Sequence, residues 1–204
     1  MNPSSAGAHF NLAITLHEQG RLEEAALSYR QAIGLKSNFT DAHSNLAGAL
    51  RQLGRLEEAE ASCRQVIALE PGFALGYSDL GMVLRELGRL KEAEASYRQA
   101  IALKPDFIEA YSNLGVALQE LGRLDEALAS EKQAIALNPD FAESHYNLGN
   151  ILKELGRLDK SEASFRQAIV LKDDYAKAHL ALSSMKKFNA QDAQYFKMLE
   201  QYSD

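Results

Sequence analysis

The chain has no tryptophan, a single cysteine and only four prolines among its 204 residues. With Cys63 alone, no disulfide can form within the chain, and a reducing compartment, the cytoplasm, is the expected setting. Scarce proline fits a mostly helical protein, because proline removes a backbone donor and breaks a helix interior. No stretch approaches the roughly 18 consecutive apolar residues of a membrane span. The opening segment, MNPSSAGAHF, has no basic region followed by an apolar run, so neither a signal peptide nor a membrane partner is expected. An excess of positive charge is missing too. The net charge of −6 argues against a nucleic-acid binder, which would carry a basic face. What remains, 46% hydrophobic and 25% charged, is an ordinary composition with enough apolar content for a sizeable core.

The constellations that carry catalysis are also absent from the sequence. It shows no glycine-rich phosphate loop, no metal-ligand cluster, and no nucleophile at a recognisable spacing from a base. No catalytic residue, metal or cofactor is expected, and the chain does not read as an enzyme.

What is present is a repeat. LGRL or a close variant returns with Gly20, Gly54, Gly88, Gly122 and Gly156, each 34 residues after the last. Aligned on those glycines, Leu12, Leu46, Leu80, Leu114 and Leu148 form one column, and Ile33, Ile67, Ile101, Ile135 and Ile169 another. Ala25, Ala59, Ala93 and Ala127 form a third, broken by Ser161. Pro71, Pro105 and Pro139 mark unit ends, with Ser37 and Asp173 in the outer two. Each unit reads as two helices. In the fourth, the first spans about Phe107 to Leu121, where Gly122 can take the left-handed conformation that ends a helix. The second spans Leu124 to Leu137 and stops before Pro139. Asp106 with Glu109, and Asp140 with Glu143, have the spacing of N-terminal capping boxes.

The segments YSDLGMVL and EAEASYRQAIALKP, at 77–84 and 92–105, place Tyr77, Leu80, Gly81, Ala93, Tyr97 and Pro105 in the pattern of the tetratricopeptide repeat, which the chain resembles. The resemblance implies an all-α, right-handed superhelical solenoid of antiparallel helix pairs, with first helices lining a concave groove. Five units would run 6–39, 40–73, 74–107, 108–141 and 142–175, after an N-terminal tail at 1–5. Residues 176–204 would form capping helices, including one near 191–202, or a junction to a further domain; the segment from Met185 onward faintly resembles the link between such repeats and a sulfotransferase domain.

Certain columns carry irregular letters. Tyr29, Tyr97 and Phe165 share a column with Cys63 and Glu131. Cys63 reads as a small buried hydrophobe. Glu131 should snorkel outward or pair with a cation, because an unpaired buried carboxylate is costly. His9, His43, His145 and His179 share the column of Tyr77 and Tyr111 and read as packing residues, since helix spacing holds them too far apart to share a metal. The arginines Arg21, Arg55, Arg89, Arg123 and Arg157 open the second helices and read as solvated surface or as contacts to the preceding helix end.

One column points to function. Asn11, Asn45, Asp79, Asn113 and Asn147 recur in mid-helix, where asparagine is a mediocre helix former. In the fourth unit, Glu109, Ser112, Asn113, Val116 and Glu120 form one stripe, and Tyr111, Leu114, Gly115, Leu118 and Leu121 the packing stripe opposite. A row of amides spaced by one repeat can donate to and accept from the backbone of an extended peptide without reading its side chains. The column resembles the asparagine ladder in the repeat region of O-linked N-acetylglucosamine transferases. Asp79 departs from it, keeping the acceptors and losing the donors. Two other readings stay open: asparagine copied by duplication without a role, and asparagine as a structural link between units. Further groove residues from the same face are Arg51, Arg85, Gln119 and Lys153, a mixed and partly basic row, with Met82, Val116 and Asn150 beside them. The acids Asp41, Glu109 and Glu143 favour helix starts. The expected function is a scaffold binding an extended protein segment. The alternatives are the substrate-recruiting arm of a larger glycosyl- or sulfotransferase, and a self-assembly module.

Overall fold

A computed structural model describes residues 5–185. Among these residues every regular element is a helix. They are α1 (Ala6–Glu18), α2 (Leu22–Leu35), α3 (Thr40–Gln52), α4 (Leu56–Leu69), α5 (Ala74–Glu86), α6 (Leu90–Leu103), α7 (Ile108–Glu120), α8 (Leu124–Leu137), α9 (Ala142–Glu154), α10 (Leu158–Leu171) and α11 at 176–185. The helix expected near 191–202 lies outside the described residues. None of the described helices is long and apolar enough to cross a membrane. Two compact units divide the chain, one up to Ala117 and one from Leu118. In the first, α1 packs on α2, α3 on α4 and α5 on α6; α2 also packs on α3, and α4 on α5. In the second, α9 packs on both α8 and α10.

The turn inside each pair follows from one glycine. Gly20, Gly54, Gly88, Gly122 and Gly156 have φ between 70° and 75°, a left-handed conformation that a side chain would strain. At the first, Gly20 N–H donates to His17 O and Arg21 N–H reaches back to Leu16 O at 2.9 Å, satisfying carbonyls that the helix end leaves open.

The turn between pairs has a different device. After α4 the backbone extends at Glu70, turns through Pro71 and Gly72, and closes as Phe73 N–H donates to Glu70 O at 3.0 Å. Proline suits that position because its ring presets the required φ. An aromatic follows every such turn: Phe39, Phe73, Phe107, Phe141 and Tyr175. Phe39 packs on Phe10 with ring centroids 4.7 Å apart, and Lys36 lies over its face. The histidine column tethers the same turns. His43 Nε2 is 3.1 Å from Ser37 O, His145 Nε2 is 2.8 Å from Pro139 O, and His179 Nε2 is 2.7 Å from Asp173 O. The capping box expected at Asp140 and Glu143 does not form: α9 begins after Phe141 with no side-chain cap, and Asp140 N–H instead donates to Asn138 Oδ1 at 3.0 Å. The tight turn brings the aromatic, not the acid, to the helix entrance.

The core is small residues meeting large rings. Ala25, Ala32, Ala59, Ala93, Ala100 and Ala127 are fully buried, as are Tyr29, Tyr97 and Phe165. Gly81 lies under the Tyr97 ring so closely that a Cβ there would stand 2.6 Å from Cε1; Gly149 and Phe165 repeat the arrangement at 2.6 Å. Leu46, Leu80 and Leu114 are buried, whereas Leu12, in the same column of the first repeat, is 50% exposed. Glu131 does not snorkel. It is fully buried, because its place is the ring position and the helices around it are spaced for a ring.

Gly81→Ala should therefore lower the unfolding free energy by about 1–3 kcal/mol in urea denaturation, by driving a methyl into the Tyr97 ring. Gly48→Ala, whose added Cβ meets nothing within 4 Å, should leave stability unchanged or raise it by up to about 1 kcal/mol.

Candidate functional site

The amide column lies on the first helices of the pairs: Asn11 on α1, Asn45 on α3, Asp79 on α5, Asn113 on α7 and Asn147 on α9. The five do not share one environment. Asn11 is exposed; Asn45, Asp79 and Asn113 are half-buried; Asn147, in the second unit, is 7% exposed. The stripe drawn from spacing alone also needs correction at Ser112, which is buried like Ser78 in the same column. In the first unit a first helix such as α3 packs against its own partner and against both neighbouring pairs, so its open face is narrower than a two-sided helix would show.

Asn45 has a polar neighbour inside the protein. Its amide stands near enough to the Tyr29 hydroxyl of the preceding α2 to influence that phenol. Burial pushes the Tyr29 phenol up, and the Asn45 amide opposes that shift. At the next register the pair is Cys63 and Asp79. The thiol cannot reach as a phenol does, and the carboxylate is left with Ser44 Oγ at 3.4 Å. Partial burial, opposed by Ser44 and by the charge of Arg51, pushes Asp79 up to about 6. Burial, with the Asp79 charge adding to it, pushes the Cys63 thiol up to about 12, so it is a protonated and unreactive cysteine.

The swap of a ring for a thiol also leaves space. A cavity of about 60 Å³ opens between α3, α4 and α5, walled by Ala47, Arg51, Cys63, Asp79, Met82 and Val83. Where Tyr97 meets Gly81 the ring fills that volume; where Cys63 meets Ala47, the added methyl does not replace the lost ring.

The mixed row is largely engaged with the neighbouring first helix. Arg51 Nη1 pairs with Glu86 Oε1 at 2.7 Å, Gln119 bonds Glu154, and His17 Nε2 lies 3.0 Å from Gln52. Each partner stands 35 positions further along, one repeat and one residue. Such exposed pairs are worth about 0–1 kcal/mol, so a ligand can replace them at small cost. Arg85 on α5 and Val116 on α7 are half-buried, like Asn150 on α9, and Lys153 on α9 is exposed. On the second helices the post-glycine arginines pair forward, Arg21 with Glu24 at 2.5 Å and Arg89 with Glu92 at 2.6 Å, while Arg89 also reaches Glu60 at 2.7 Å in the preceding repeat. Among the described residues no group of three or more His, Cys, Asp or Glu is placed to hold a metal ion.

Family models for tetratricopeptide repeats match 16–78, 81–122, 118–156 and 142–175. The chain belongs to the tetratricopeptide repeat family. No curated protein matches it. Among solved structures, this tetratricopeptide protein is similar to YrrB, described as having an unusual peptide-binding site, at 25% identity and a TM-score of 0.65 over 88% of this chain and 93% of that one. TTC0263, a thermophilic repeat protein of Thermus thermophilus, aligns at 23% identity and TM-score 0.74, over 89% of this chain and 98% of that one. The Cut9–Hcn1 assembly of the APC/C contains a chain that aligns at 20% identity and TM-score 0.82, over 92% of this chain and 38% of that one. The last two show a shared fold. The repeat family accounts for Gly81 on Tyr97 and for the glycine turns; it does not account for Cys63 or Asp79.

Sequence spacing locates the amide column but not the Tyr29–Asn45 contact or the cavity. A partial signal is present: the ring column precedes the next amide by 16 residues in four repeats, and at Cys63 and Asp79 both letters change, although at Glu131 only the ring letter does.

Two outcomes follow. Because the folded protein binds a proton at Asp79 more readily than the unfolded chain, whose aspartate titrates near 4, its stability should fall as pH rises from about 4 to about 6 and then level. Asp79→Asn should flatten that slope in urea titrations across the same range, with Arg51, Glu86, Glu60 and Cys63 as the neighbouring ionisable groups left in place. Asn45→Ala should lower the unfolding free energy by no more than about 1 kcal/mol through loss of the Tyr29 neighbour, and Tyr29→Phe should make that substitution nearly silent.

Proposed function

We propose that this tetratricopeptide protein is a protein-interaction scaffold whose first-helix face holds an extended segment of a partner. The observation that carries this reading is the exposure pattern of the amides in the first unit. Asn11 is open, and Asn113 and Asp79 keep part of their surface while the leucines one position further along, Leu80 and Leu114, are buried. Mid-helix asparagine costs helix stability, so its recurrence on a partly open face favours a use for its amide. One donor and one acceptor per position match an extended backbone, which offers both in alternation. The likeness to YrrB, a repeat protein with a peptide-binding site, supports the same class of partner. Asn45 has Tyr29 as a neighbour inside the protein, so the binding positions are Asn11, Asp79 and Asn113, with Met82 and Val116 supplying apolar contact.

The test begins with selection of binders from a random 12-residue peptide library on the immobilised chain. Affinities of the selected peptides are then read by fluorescence polarisation. Asn11→Ala with Asn113→Ala should weaken binding about tenfold or more while leaving the urea midpoint nearly unchanged, and N-methylation of the peptide backbone should weaken it comparably. Unchanged affinity in both experiments removes the amides from the binding surface.

A further inference from the structure

The cavity beside Cys63 has a composition that selects an occupant. One wall is apolar, built from Ala47, Met82 and Val83; the other carries the Asp79 carboxylate. Asp79 is half-buried and its bond from Ser44 Oγ, at 3.4 Å, is long for a hydroxyl on a carboxylate. Arg51 also borders the space and acts on Asp79 through its charge, but its guanidinium is bonded to Glu86 at 2.7 Å and not to Asp79. Glu60, across α4, is held by Arg64 and Arg89 at 2.8 and 2.7 Å. The site is thus a small, largely apolar slot with one carboxylate on its wall that no cation bonds directly.

We propose that this slot is a subsite for one lysine side chain of the bound segment, its methylene stem against Met82 and Val83 and its ammonium on the Asp79 carboxylate. This rests on the reading that the first-helix face is the binding surface. A volume of about 60 Å³ suits an unbranched stem. Lysine's compact ammonium needs less width than the planar fork of arginine. An apolar or aromatic side chain would fill the slot but bury the carboxylate without a partner, and an acidic one would be repelled by it. A cation supplies the partner that Tyr29 gives Asn45 one register earlier and that Cys63 cannot give Asp79.

The experiment uses the full chain labelled at the methionine methyls, with n-butylammonium, the lysine side chain without its backbone, as probe. Only four methionines are present, so the Met82 methyl can be assigned. The expected result is a saturable Met82 shift, about tenfold weaker with n-butanol and about tenfold weaker for n-butylammonium in Asp79→Asn. Cys63→Tyr should abolish it by filling the slot. Both variants install a residue that other repeats carry at those columns, and the urea midpoint of each is compared with that of the native chain. No saturable shift in the native chain, equal affinity for n-butanol, or an unchanged constant in Asp79→Asn overturns the subsite. A Met82 response with peptide binding indifferent to Asn11 and Asn113 upholds the subsite and removes the amide reading. Amide-dependent peptide binding with a silent Met82 does the reverse.

Discussion

Tyr97 lies on the bare backbone of Gly81, and Phe165 on that of Gly149. That ring-on-glycine contact sets the distance between the two helices of a pair, and the distance sets what every other column can hold. Alanine is tolerated along the second helices because the rings do the spacing; Ala93 and Ala100 flank Tyr97 and are fully buried. A single pair has too little apolar surface to close around its own rings, so each depends on its neighbour to finish the enclosure.

The candidate site is a by-product of the same contact. The tip of a ring on the second helix comes within reach of the next first helix, where Tyr29 meets Asn45. A column that looks like a uniform binding ladder therefore holds members in different surroundings, Asn45 beside a ring tip and Asp79 beside a thiol. Cys63 removes a ring and leaves a charged slot in its place. Function of this kind arises from an irregularity in a regular array: the scaffold is specified by what repeats, and the selectivity by what does not.

Much of this is legible in the sequence. The five glycines mark the helix ends, since φ of 70–75° admits little else, and Leu124 to Leu137 has the bounds expected from Pro139. That α9 lacks a side-chain cap is not legible, because spacing alone does not reveal that a tight turn delivers Phe141 to the helix start. Glu131 has the chemistry of a surface residue, but its register puts it at the ring position and packing overrides its preference. The asparagines stand out by their recurrence; their unequal burial does not, because it depends on contacts between helices that are 16 and 35 residues apart. Ser112 shows the same failing, as a wheel drawn for one helix cannot display the others packed around it.

Leu12 shows what a first helix does where no preceding pair is described. Its counterparts Leu46 and Leu80 are covered by a preceding pair, and at α1 there is none among the described residues, leaving half of the side chain in water. The hydrophobic driving force on α1 is smaller than on α3 by that missing cover. The hydrogen bonds of α1 should open by local fraying more readily than those of α3, so amide exchange should run faster in α1 than in α3. Cooperativity in such a molecule is graded by position, and α1 can loosen without dissolving the helices that follow it.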